Sequence, residues 1–469
     1  MTRIVVDNRI RIPLAGLSRD RVDGLTGAFR HANPTRKPGS DDPEFFESWS
    51  QEGDELTIPR GGLARVLELE PGFQIDDQTV WSHPEPSIPN HLVAWRPYQR
   101  LMIAAAVRAR TCLLRAPTGS GKTTGGFGLI SVLKHRSLVM VWTGNLEKQW
   151  RERCASELGI DEARVGRIRG SRDDHAPVTV AMQQTVVSRL RRGDRELSHA
   201  YDLLLCDEVQ RFAAPTLFAS VDPFAARYRV GISADESRRD GKEFLTRDLF
   251  GDVAHAVEER SLIDTGAVVE VEDLVIPTEF EARWYRYRQD FNRLLSQMCG
   301  DERRNELVLD VAARMVRQGH QVLIFTHRVE HARQLDARLT ALGIRSGTLL
   351  GGVDNEVAFE RTKAGLRDGS RRVGIGTYQA IAQGLDLPTV SRGIAATPIA
   401  NNRQQLGQVR GRLCRASGGK SEGKLALLWD RAIYGRRMLE NLVKWHRVVR
   451  VLHRGGWVDG RTYLEEWKR

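Results

Sequence analysis

The chain has 469 residues, which is enough for two to four domains that each bury a core of their own. Hydrophobic residues make up 41% of the chain and charged residues 28%, a globular balance that excludes a mostly disordered protein. Lys and Arg number 71 against 60 Asp and Glu, so the net charge is +11 and suggests a polyanionic partner.

The cysteines and the hydropathy pattern indicate in which cellular compartment the protein is expected. The five cysteines are scattered and form no Cys-x-x-Cys pair, which argues against a disulfide scaffold or a zinc ribbon and favours a reducing compartment. The first residues lack the apolar core of a signal peptide, and no run approaches the roughly 18–20 apolar residues of a membrane span. We therefore expect a cytoplasmic protein with no membrane partner.

Composition shifts along the chain predict four segments. Residues 1–80 mix short alternating strands with turns, and residues 81–90 hold three prolines and predict a linker. From residue 91 onward, short apolar strands alternate with helical segments, which indicates parallel sheets with crossover helices. The predicted fold is α/β, with a small α+β N-terminal accessory domain and its Pro-rich linker, two tandem parallel-sheet domains and a basic C-terminal helical extension, bounded as 1–90, 91–275, 276–430 and 431–469.

A phosphate-binding loop is predicted at residues 116–124, Ala-Pro-Thr-Gly-Ser-Gly-Lys-Thr-Thr, between an apolar strand and a helical segment. Gly119 and Gly121 let backbone N–H groups turn toward phosphate oxygens, Lys122 supplies positive charge, and Thr123 supplies a hydroxyl to Mg²⁺. Ala116 replaces the first glycine of the strict pattern, and the alternative is a glycine-rich turn before a helix. The expected cofactors are ATP and Mg²⁺, with the loop contacts Thr118, Gly119, Ser120, Gly121, Lys122, Thr123 and Thr124.

Two carboxylates follow the apolar strand at 203–206, some 85 residues after the loop. In P-loop ATPases this position holds an Asp that binds Mg²⁺, so Asp207 is the predicted metal residue. Glu208 is predicted to orient and deprotonate the attacking water. A solvated acidic pair at a strand end is the alternative.

These residues resemble the superfamily 2 helicases, and further motifs follow in the family's order over roughly residues 91–430. Arg96-Pro97-Tyr98-Gln99 resembles the motif whose Gln reads adenine, so Gln99 is a predicted cofactor contact. The family's remaining motifs are matched by Trp142 to Trp150, Ala181 to Thr185, Asp207 to Gln210, Ser233 to Asp235, Ile324 to Arg328, Thr377 with Gly384, Leu385 and Asp386, and Gln408 to Arg415. The resemblance is to XPB-type and bacteriophage UvsW-type DNA helicases, and it implies two RecA-like domains.

The residue types of the last motif, Gln408 to Arg415, indicate a chemical role. Arg412 and Arg415 are three residues apart and share a helix face, so their guanidinium groups can stabilise charge on a transferring phosphate. The resemblance implies that Gln408, Arg412 and Arg415 are catalytic and that Gly384 and Asp386 contact the nucleotide. Two residues depart from the family pattern, Gln210 and Asp235, where the family couples the ATP state to strand movement.

The resemblance implies ATP-dependent unwinding or remodelling of single-stranded and forked or branched DNA, with 3′-to-5′ polarity. The strand contacts that it implies are Thr143, Gln184, Thr185, Thr326, Arg328 and Thr377. Such hydroxyl, amide and guanidinium groups suit phosphate and sugar and tolerate any base sequence. The open alternatives are an RNA helicase and an ATP-gated nucleic-acid-binding subunit of a larger repair or defence complex.

The net charge is concentrated at one end of the chain. Residues 401–469 carry 16 Lys and Arg against 6 Asp and Glu, whereas residues 1–90 carry 10 against 15. Apolar residues recur every three or four positions between Tyr434 and Leu452, which predicts a basic amphipathic helix over 431–452. We expect deletion after Asp430 to weaken DNA binding and its salt dependence, unless this helix serves only to pack on the second domain.

Overall fold

In a computed structural model of the chain, the described residues are 2–36, 39, 41–212, 214–234, 241–283, 290–382, 387, 389–399, 403–415 and 421–467. The chain divides into two compact units. The first comprises Met1–Pro117 with Gly121–Glu258, and the second comprises Thr118–Ser120 with Glu259–Arg469.

The first unit begins with a small α+β layer, as the sequence predicts for residues 1–80. Its five-stranded sheet has the order β5-β6-β2-β1-β7, in which β1 pairs antiparallel with β2 and parallel with β7. Alternating apolar residues such as Ile10 and Ile12 are buried beneath it. The elements are β1 (Arg3–Val6), β2 (Arg9–Pro13), α1 (Arg19–Gly27), β3 (Arg30–Ala32), β4 (Phe45–Glu47), β5 (Ser50–Glu52), β6 (Glu55–Pro59), a 3₁₀ turn (Arg60–Gly62), α2 (Leu63–Leu69) and β7 (Gln74–Asp77).

The rest of the first unit is an α/β layer built on eight described strands in the order β11-β10-β12-β9-β13-β14-β8-β15. Apart from the antiparallel β10–β11 pair, the described pairings are parallel, so the strands' carboxyl ends share one edge. The elements are α3 (Pro97–Ala109), β8 (Thr111–Arg115), α4 (Lys122–Leu133), β9 (Ser137–Val141), α5 (Gly144–Leu158), a 3₁₀ turn (Glu162–Arg164), β10 (Gly166–Arg169), β11 (Arg172–Asp174), β12 (Val178–Met182), α6 (Gln183–Arg191), α7 (Arg195–His199), β13 (Leu203–Asp207), a 3₁₀ turn (Val209–Arg211), α8 (Ala214–Val221), β14 (Tyr228–Ser233), α9 (Glu243–Phe250) and β15 (Val253–Ala256).

The second unit repeats this plan with the strand order β18-β19-β17-β20-β21-β16-β22-β23, in which β22 and β23 alone among the described pairs are antiparallel. The two predicted parallel-sheet domains are therefore confirmed. The elements are α10 (Glu259–Asp264), β16 (Val271–Thr278), α11 (Phe291–Gly300), α12 (Glu302–Arg317), β17 (Val322–Thr326), α13 (Val329–Ala341), β18 (Ser346–Leu349), a 3₁₀ turn (Val353–Asn355), α14 (Glu356–Arg367), β19 (Val373–Thr377), α15 (Tyr378–Ala382), β20 (Arg392–Ala395), α16 (Arg403–Leu413), β21 (Gly423–Asp430), α17 (Arg431–Tyr434), α18 (Arg437–Trp445), β22 (Val449–His453), β23 (Gly456–Asp459) and α19 (Gly460–Glu466).

Two predicted boundaries differ from the structure. A boundary between residues 275 and 276 would cut through β16, which belongs to the second sheet. Residues 81–90 are not a free linker, because Trp81 stacks on His135 at a 3.6 Å centroid distance and the Ser82 hydroxyl donates to Asp202 Oδ2 at 2.6 Å. The proline content of this segment reflects an extended path along the first unit.

The predicted continuous helix over 431–452 is confirmed only in its middle, where α18 runs from Arg437 to Trp445. Gly435, with φ of +50°, ends α17, and the β-branched residues near Val449 continue as β22, which pairs in parallel with β16. Within this segment Arg450 pairs with Glu272 at 2.7 Å, so part of the C-terminal charge is neutralised by the sheet itself. Deleting the chain after Asp430 would remove strands from this sheet and does not isolate an effect of charge.

A buried carboxylate joins the N-terminal layer to the first α/β layer. Asp248 in α9 is fully buried, and its Oδ2 accepts a hydrogen bond from Ser48 at 2.6 Å and lies 2.7 Å from His31 Nε2. Arg65 Nη1 lies 3.3 Å from Asp248 Oδ1. A buried carboxylate needs such partners, so residues 1–80 are an integral part of the first unit.

Two further expectations concern whole-chain properties. The five cysteines are buried as free thiols, which confirms that the fold does not depend on disulfides. Among the helices that the structure describes, none has the length and apolarity that a bilayer span requires.

Candidate functional site

The predicted phosphate-binding loop joins the end of β8 to α4, where backbone N–H groups at a helix N-terminus can receive an anion. Gly121 has φ of +78°, and a Cβ there would lie 2.6 Å from Gln99 Nε2, so glycine is required both by conformation and by space. Lys122 is the first residue of α4 and is 9% exposed. Thr123 is half-buried, and its hydroxyl makes no hydrogen bond within the described part of the chain.

Asp207 and Glu208 lie beside this lysine at the end of β13. Lys122 Nζ is 3.2 Å from Glu208 Oε1, and Asp207 Oδ2 accepts a hydrogen bond from Trp150 Nε1 at 2.8 Å. Burial and the neighbouring Glu208 charge raise the pKa of Asp207 to about 6. Burial also disfavours the Glu208 carboxylate, but the Lys122 charge and a hydrogen bond from Gln210 outweigh it and lower the pKa of Glu208.

This geometry fits a divalent cation. Asp207 is 3% exposed and its raised pKa reflects a carboxylate that a nearby cation would stabilise. Asp207 and the Thr123 hydroxyl are oxygen donors, the ligand type that Mg²⁺ prefers. Glu208 adopts φ of +54°, a left-handed conformation that costs a non-glycine residue about 1 kcal/mol.

Gln210 connects the acidic pair to the end of the neighbouring strand β14. Its Nε2 donates to Glu208 Oε2, and its Oε1 accepts from the Ser233 hydroxyl at 2.7 Å. An amide can do both because it carries a donor and an acceptor. The departure from the family pattern at Gln210 therefore preserves a connection between Glu208 and the motif that begins at Ser233.

Gln99 reaches the loop but uses both ends of its amide on backbone groups. Its Oε1 accepts from Arg96 N at 2.9 Å, and its Nε2 donates to Gly121 O at 3.3 Å. At 4% exposure it is part of the wall of the loop. Gln99 thus holds Gly121 in this structure, and its role in adenine recognition stays a prediction.

The predicted strand contacts of the first unit lie together at the carboxyl ends of β9 and β12, which are neighbours in the sheet. Thr143 caps α5 by accepting a hydrogen bond from Leu146 N at 3.3 Å. Gln184 Nε2 donates to Trp142 O at 3.3 Å, and Thr185 Oγ1 accepts from Gly170 N at 3.0 Å. The Trp142 ring packs against the core of this unit, which argues against free stacking on a base.

In the second unit, Thr326 and Thr377 pair directly as the last residues of β17 and β19. Thr377 Oγ1 accepts from Ala380 N at 3.2 Å, whereas Thr326 is fully buried with its hydroxyl 2.8 Å from His331 Nδ1. The buried position of Thr326 makes it a support of this edge rather than an accessible contact. Arg328 is half-buried and its Nη2 donates to Asn292 Oδ1 at 3.0 Å.

The buried histidine behind Thr326 predicts acid-sensitive stability of the second unit. Burial and the Arg304 charge lower the pKa of His331 to about 4, against 6.5 for an unperturbed histidine. Between pH 4 and 6.5 the unfolded chain therefore binds a proton that the folded chain excludes, so this contribution is complete above pH 6.5 and is lost as the pH falls. Lowering the pH from 7.5 to 5 should cost about 2 kcal/mol of unfolding free energy through His331.

Urea denaturation of the wild type and of His331→Gln at both pH values measures this cost. The variant should be less stable at pH 7.5 but should lose about 2 kcal/mol less than the wild type on acidification. Equal losses in the two proteins would show that His331 does not carry the pH dependence.

Helix α16 carries the predicted catalytic residues Gln408 and Arg412, and Arg415 lies two residues after its end. All three side chains are half-buried. The residue that anchors this helix is Arg410, which the sequence reading did not single out. Arg410 Nη1 lies 2.7 Å from Asp273 Oδ1 of β16, and His446 Nδ1 contacts Asp273 Oδ2. Burial disfavours the charged Asp273, but Arg410 and His446 outweigh it and lower its pKa.

Some predicted residues fall outside the described residues. They are Gly384 and Asp386, which were expected to contact the nucleotide, together with Leu385 and Asp235 of the family motifs. Their predicted roles stay predictions.

Comparison with known proteins agrees with the order of these motifs. Residues 92–236 match the family model of the type III restriction enzyme res subunit, and residues 304–417 match the helicase conserved C-terminal domain. The putative DNA 3′-5′ helicase Rad25 of Halobacterium salinarum is 26% identical over 75% of this chain and 57% of its own length. The DNA 3′-5′ translocase XPB2 of Sulfurisphaera tokodaii is 30% identical over 42% of this chain and 43% of its own length.

These alignments span about half the length of the two relatives. Among solved structures, the fragment of a putative HsdR subunit of a type I restriction enzyme from Vibrio vulnificus YJ016 aligns with a TM-score of 0.57. That alignment has 17% identity and covers 78% of this chain and 71% of the other, so it shows a shared fold. Both helicase regions, the named relatives and the tandem α/β sheets make the chain similar to the superfamily 2 helicases, and among them to the XPB type.

Proposed function

We propose that this protein is an ATP-driven DNA translocase that unwinds or remodels forked or branched DNA with 3′-to-5′ polarity. The observation that carries the proposal is the nucleotide-site geometry, in which Lys122 at the start of α4 lies 3.2 Å from Glu208 and beside the buried Asp207. The names of the two relatives, a DNA 3′-5′ helicase and a DNA 3′-5′ translocase, support DNA and this polarity.

The proposed hydrolytic roles follow from the donors at the site. ATP phosphates bind the loop Thr118–Thr124, with Lys122 leaving its pair with Glu208 to neutralise phosphate charge. Thr123 and Asp207 would hold Mg²⁺, which would supply electrostatic stabilisation of the phosphates. Glu208, held by Gln210, positions and deprotonates the attacking water, and Arg412 and Arg415 stabilise the developing charge.

The proposed strand contacts are polar groups at sheet edges. Thr143, Gln184 and Thr185 lie at one such edge of the first unit, and Arg328 and Thr377 lie at the corresponding edge of the second. Thr326 is not among the proposed contacts, because it is fully buried beside Thr377 with its hydroxyl at His331 Nδ1. Contacts of this kind favour backbone recognition, which lets the protein step along any base sequence.

Nucleic-acid stimulation of ATP hydrolysis tests this function. We expect single-stranded DNA to raise the steady-state ATPase rate at least tenfold, forked DNA to be unwound from a 3′ overhang, and single-stranded RNA of equal length to stimulate less. The rise should fade with added salt because the strand is held through phosphates. Stronger stimulation by RNA would favour the RNA-helicase alternative, and tight ATP-dependent DNA binding without turnover would favour the ATP-gated clamp.

A further inference from the structure

Helix α5 connects three parts of the first unit through side chains on one buried face. Its buried residues Glu147, Trp150, Cys154, Glu157 and Leu158 recur at spacings of one, three and four. The helix begins at Thr143, a proposed strand contact, so a shift at its N-terminus is transmitted along a rigid element of 15 residues.

The middle of α5 touches the metal carboxylate. Trp150 is 1% exposed, and its Nε1 donates the 2.8 Å hydrogen bond to Asp207 Oδ2. The indole ring lies against α4, with its centroid 4.6 Å from that of Phe127, and a Cβ at Gly126 would lie 2.6 Å from its Cη2 atom. The ring therefore has no space to rotate away from Asp207 while α4 and α5 stay in place.

The two ends of α5 are also fixed by buried charge. Near its start, Glu147 is 1% exposed and pairs with Arg167 at 2.8 Å and with Arg169 at 3.0 Å, both in β10. Near its end, Glu157 Oε1 accepts from the Thr124 hydroxyl at 3.0 Å, next to the proposed metal residue Thr123. Helix α5 thus contacts the phosphate loop and the metal carboxylate as one body.

We infer that Trp150 is a positioning residue for the nucleotide site, and that through it α5 couples strand binding at Thr143 to the orientation of Asp207. The inference rests on the proposed function, and it names Trp150 as a residue that couples binding of the nucleotide to binding of the strand. In this proposal Trp150 contacts neither ligand and acts by holding Asp207 Oδ2 in place. Because energetic coupling is reciprocal, nucleotide binding must change strand affinity through the same contact.

The test compares Trp150→Phe, which keeps a ring but removes the N–H donor, with Trp429→Phe in the second unit. Trp429 is fully buried and its Nε1 donates to Gly435 O at 2.9 Å, so the control also loses the hydrogen bond of a buried indole but leaves Asp207 untouched. The dissociation constant of a labelled single-stranded oligonucleotide is measured by anisotropy without nucleotide and with Mg²⁺ and a non-hydrolysable ATP analogue. The ratio of the two constants reports the coupling.

We expect Trp150→Phe to keep the nucleotide-free affinity within about twofold and to move the ratio at least fivefold toward one, within the usual range of such couplings. Trp429→Phe should keep the wild-type ratio. If Trp150→Phe folds and keeps the wild-type ratio of the two dissociation constants, the inference is overturned while the proposed function stands. Should Trp150→Phe not fold, Gly126→Ala displaces the ring instead and is judged by the same ratio. A wild-type protein whose DNA affinity ignores the nucleotide overturns this inference, and one that binds no DNA overturns the proposed function with it.

Discussion

Replacing Lys122 with alanine is expected to lower the DNA-stimulated ATPase rate by about 10³-fold or more. The lysine is 9% exposed at the first position of α4, so its charge acts with little screening by water. Alanine would leave the phosphates without this charge in the transition state. In the nucleotide-free protein it would also remove the ion pair with Glu208 at 3.2 Å.

The matched control is Lys134→Asn at the opposite end of the same helix. Lys134 is half-buried and adopts φ of +54°, a conformation that asparagine accepts readily, so this variant removes one lysine without backbone strain. Its ATPase rate and its unfolding midpoint should match those of the wild type. Wild-type turnover by Lys122→Ala would show that the nucleotide site lies elsewhere in the chain.

Much of the fold could be predicted because local pattern and global arrangement agree. Strands such as β13 are continuous apolar runs, which is what a parallel sheet covered on both faces requires, and β13 ends at the two carboxylates that mark the site. The loop before α4 was identified from residue type alone, since glycine, lysine and threonine at this spacing have few other uses. Both the strands and the loop could be predicted because they depend on residues close together in the sequence.

The errors arose where distant parts of the chain decide local structure. The spacing of apolar residues between Tyr434 and Leu452 fits a helix, but the free edge of β16 recruits Val449 and Val451 as a strand. Likewise, the sequence shows a tryptophan at position 150 and a glutamine at position 210 without showing that each contacts one carboxylate of the acidic pair. The contact between Trp150 and Asp207 depends on packing between residues 57 positions apart, whereas Gln210 reaches Glu208 within the turn that follows β13.

The second large effect is expected on helix α16, where one arginine should determine stability and another should determine the rate of ATP turnover. Arg410→Ala should destabilise the second unit by about 3–5 kcal/mol, because it leaves the fully buried Asp273 without its 2.7 Å partner. Arg412→Ala should change the unfolding free energy by less than about 1 kcal/mol, since Arg412 is only half-buried. It should nevertheless lower ATP turnover about 10³-fold if it stabilises transition-state charge.

Urea unfolding followed by circular dichroism and a steady-state ATPase assay separate these two effects on the same preparations. Asp273→Asn removes the other charge of the Arg410–Asp273 pair, so its loss of unfolding free energy should resemble that of Arg410→Ala. This difference from the wild type should disappear as the pH falls toward the range in which the wild-type Asp273 is protonated. The sign follows from the lowered pKa of Asp273, whose stabilising contribution is present above the unfolded pKa and is lost as the pH drops through the folded one. If Arg412→Ala were the less stable of the two arginine variants, Arg412 would be the anchor of α16 and the proposed division of roles would be reversed.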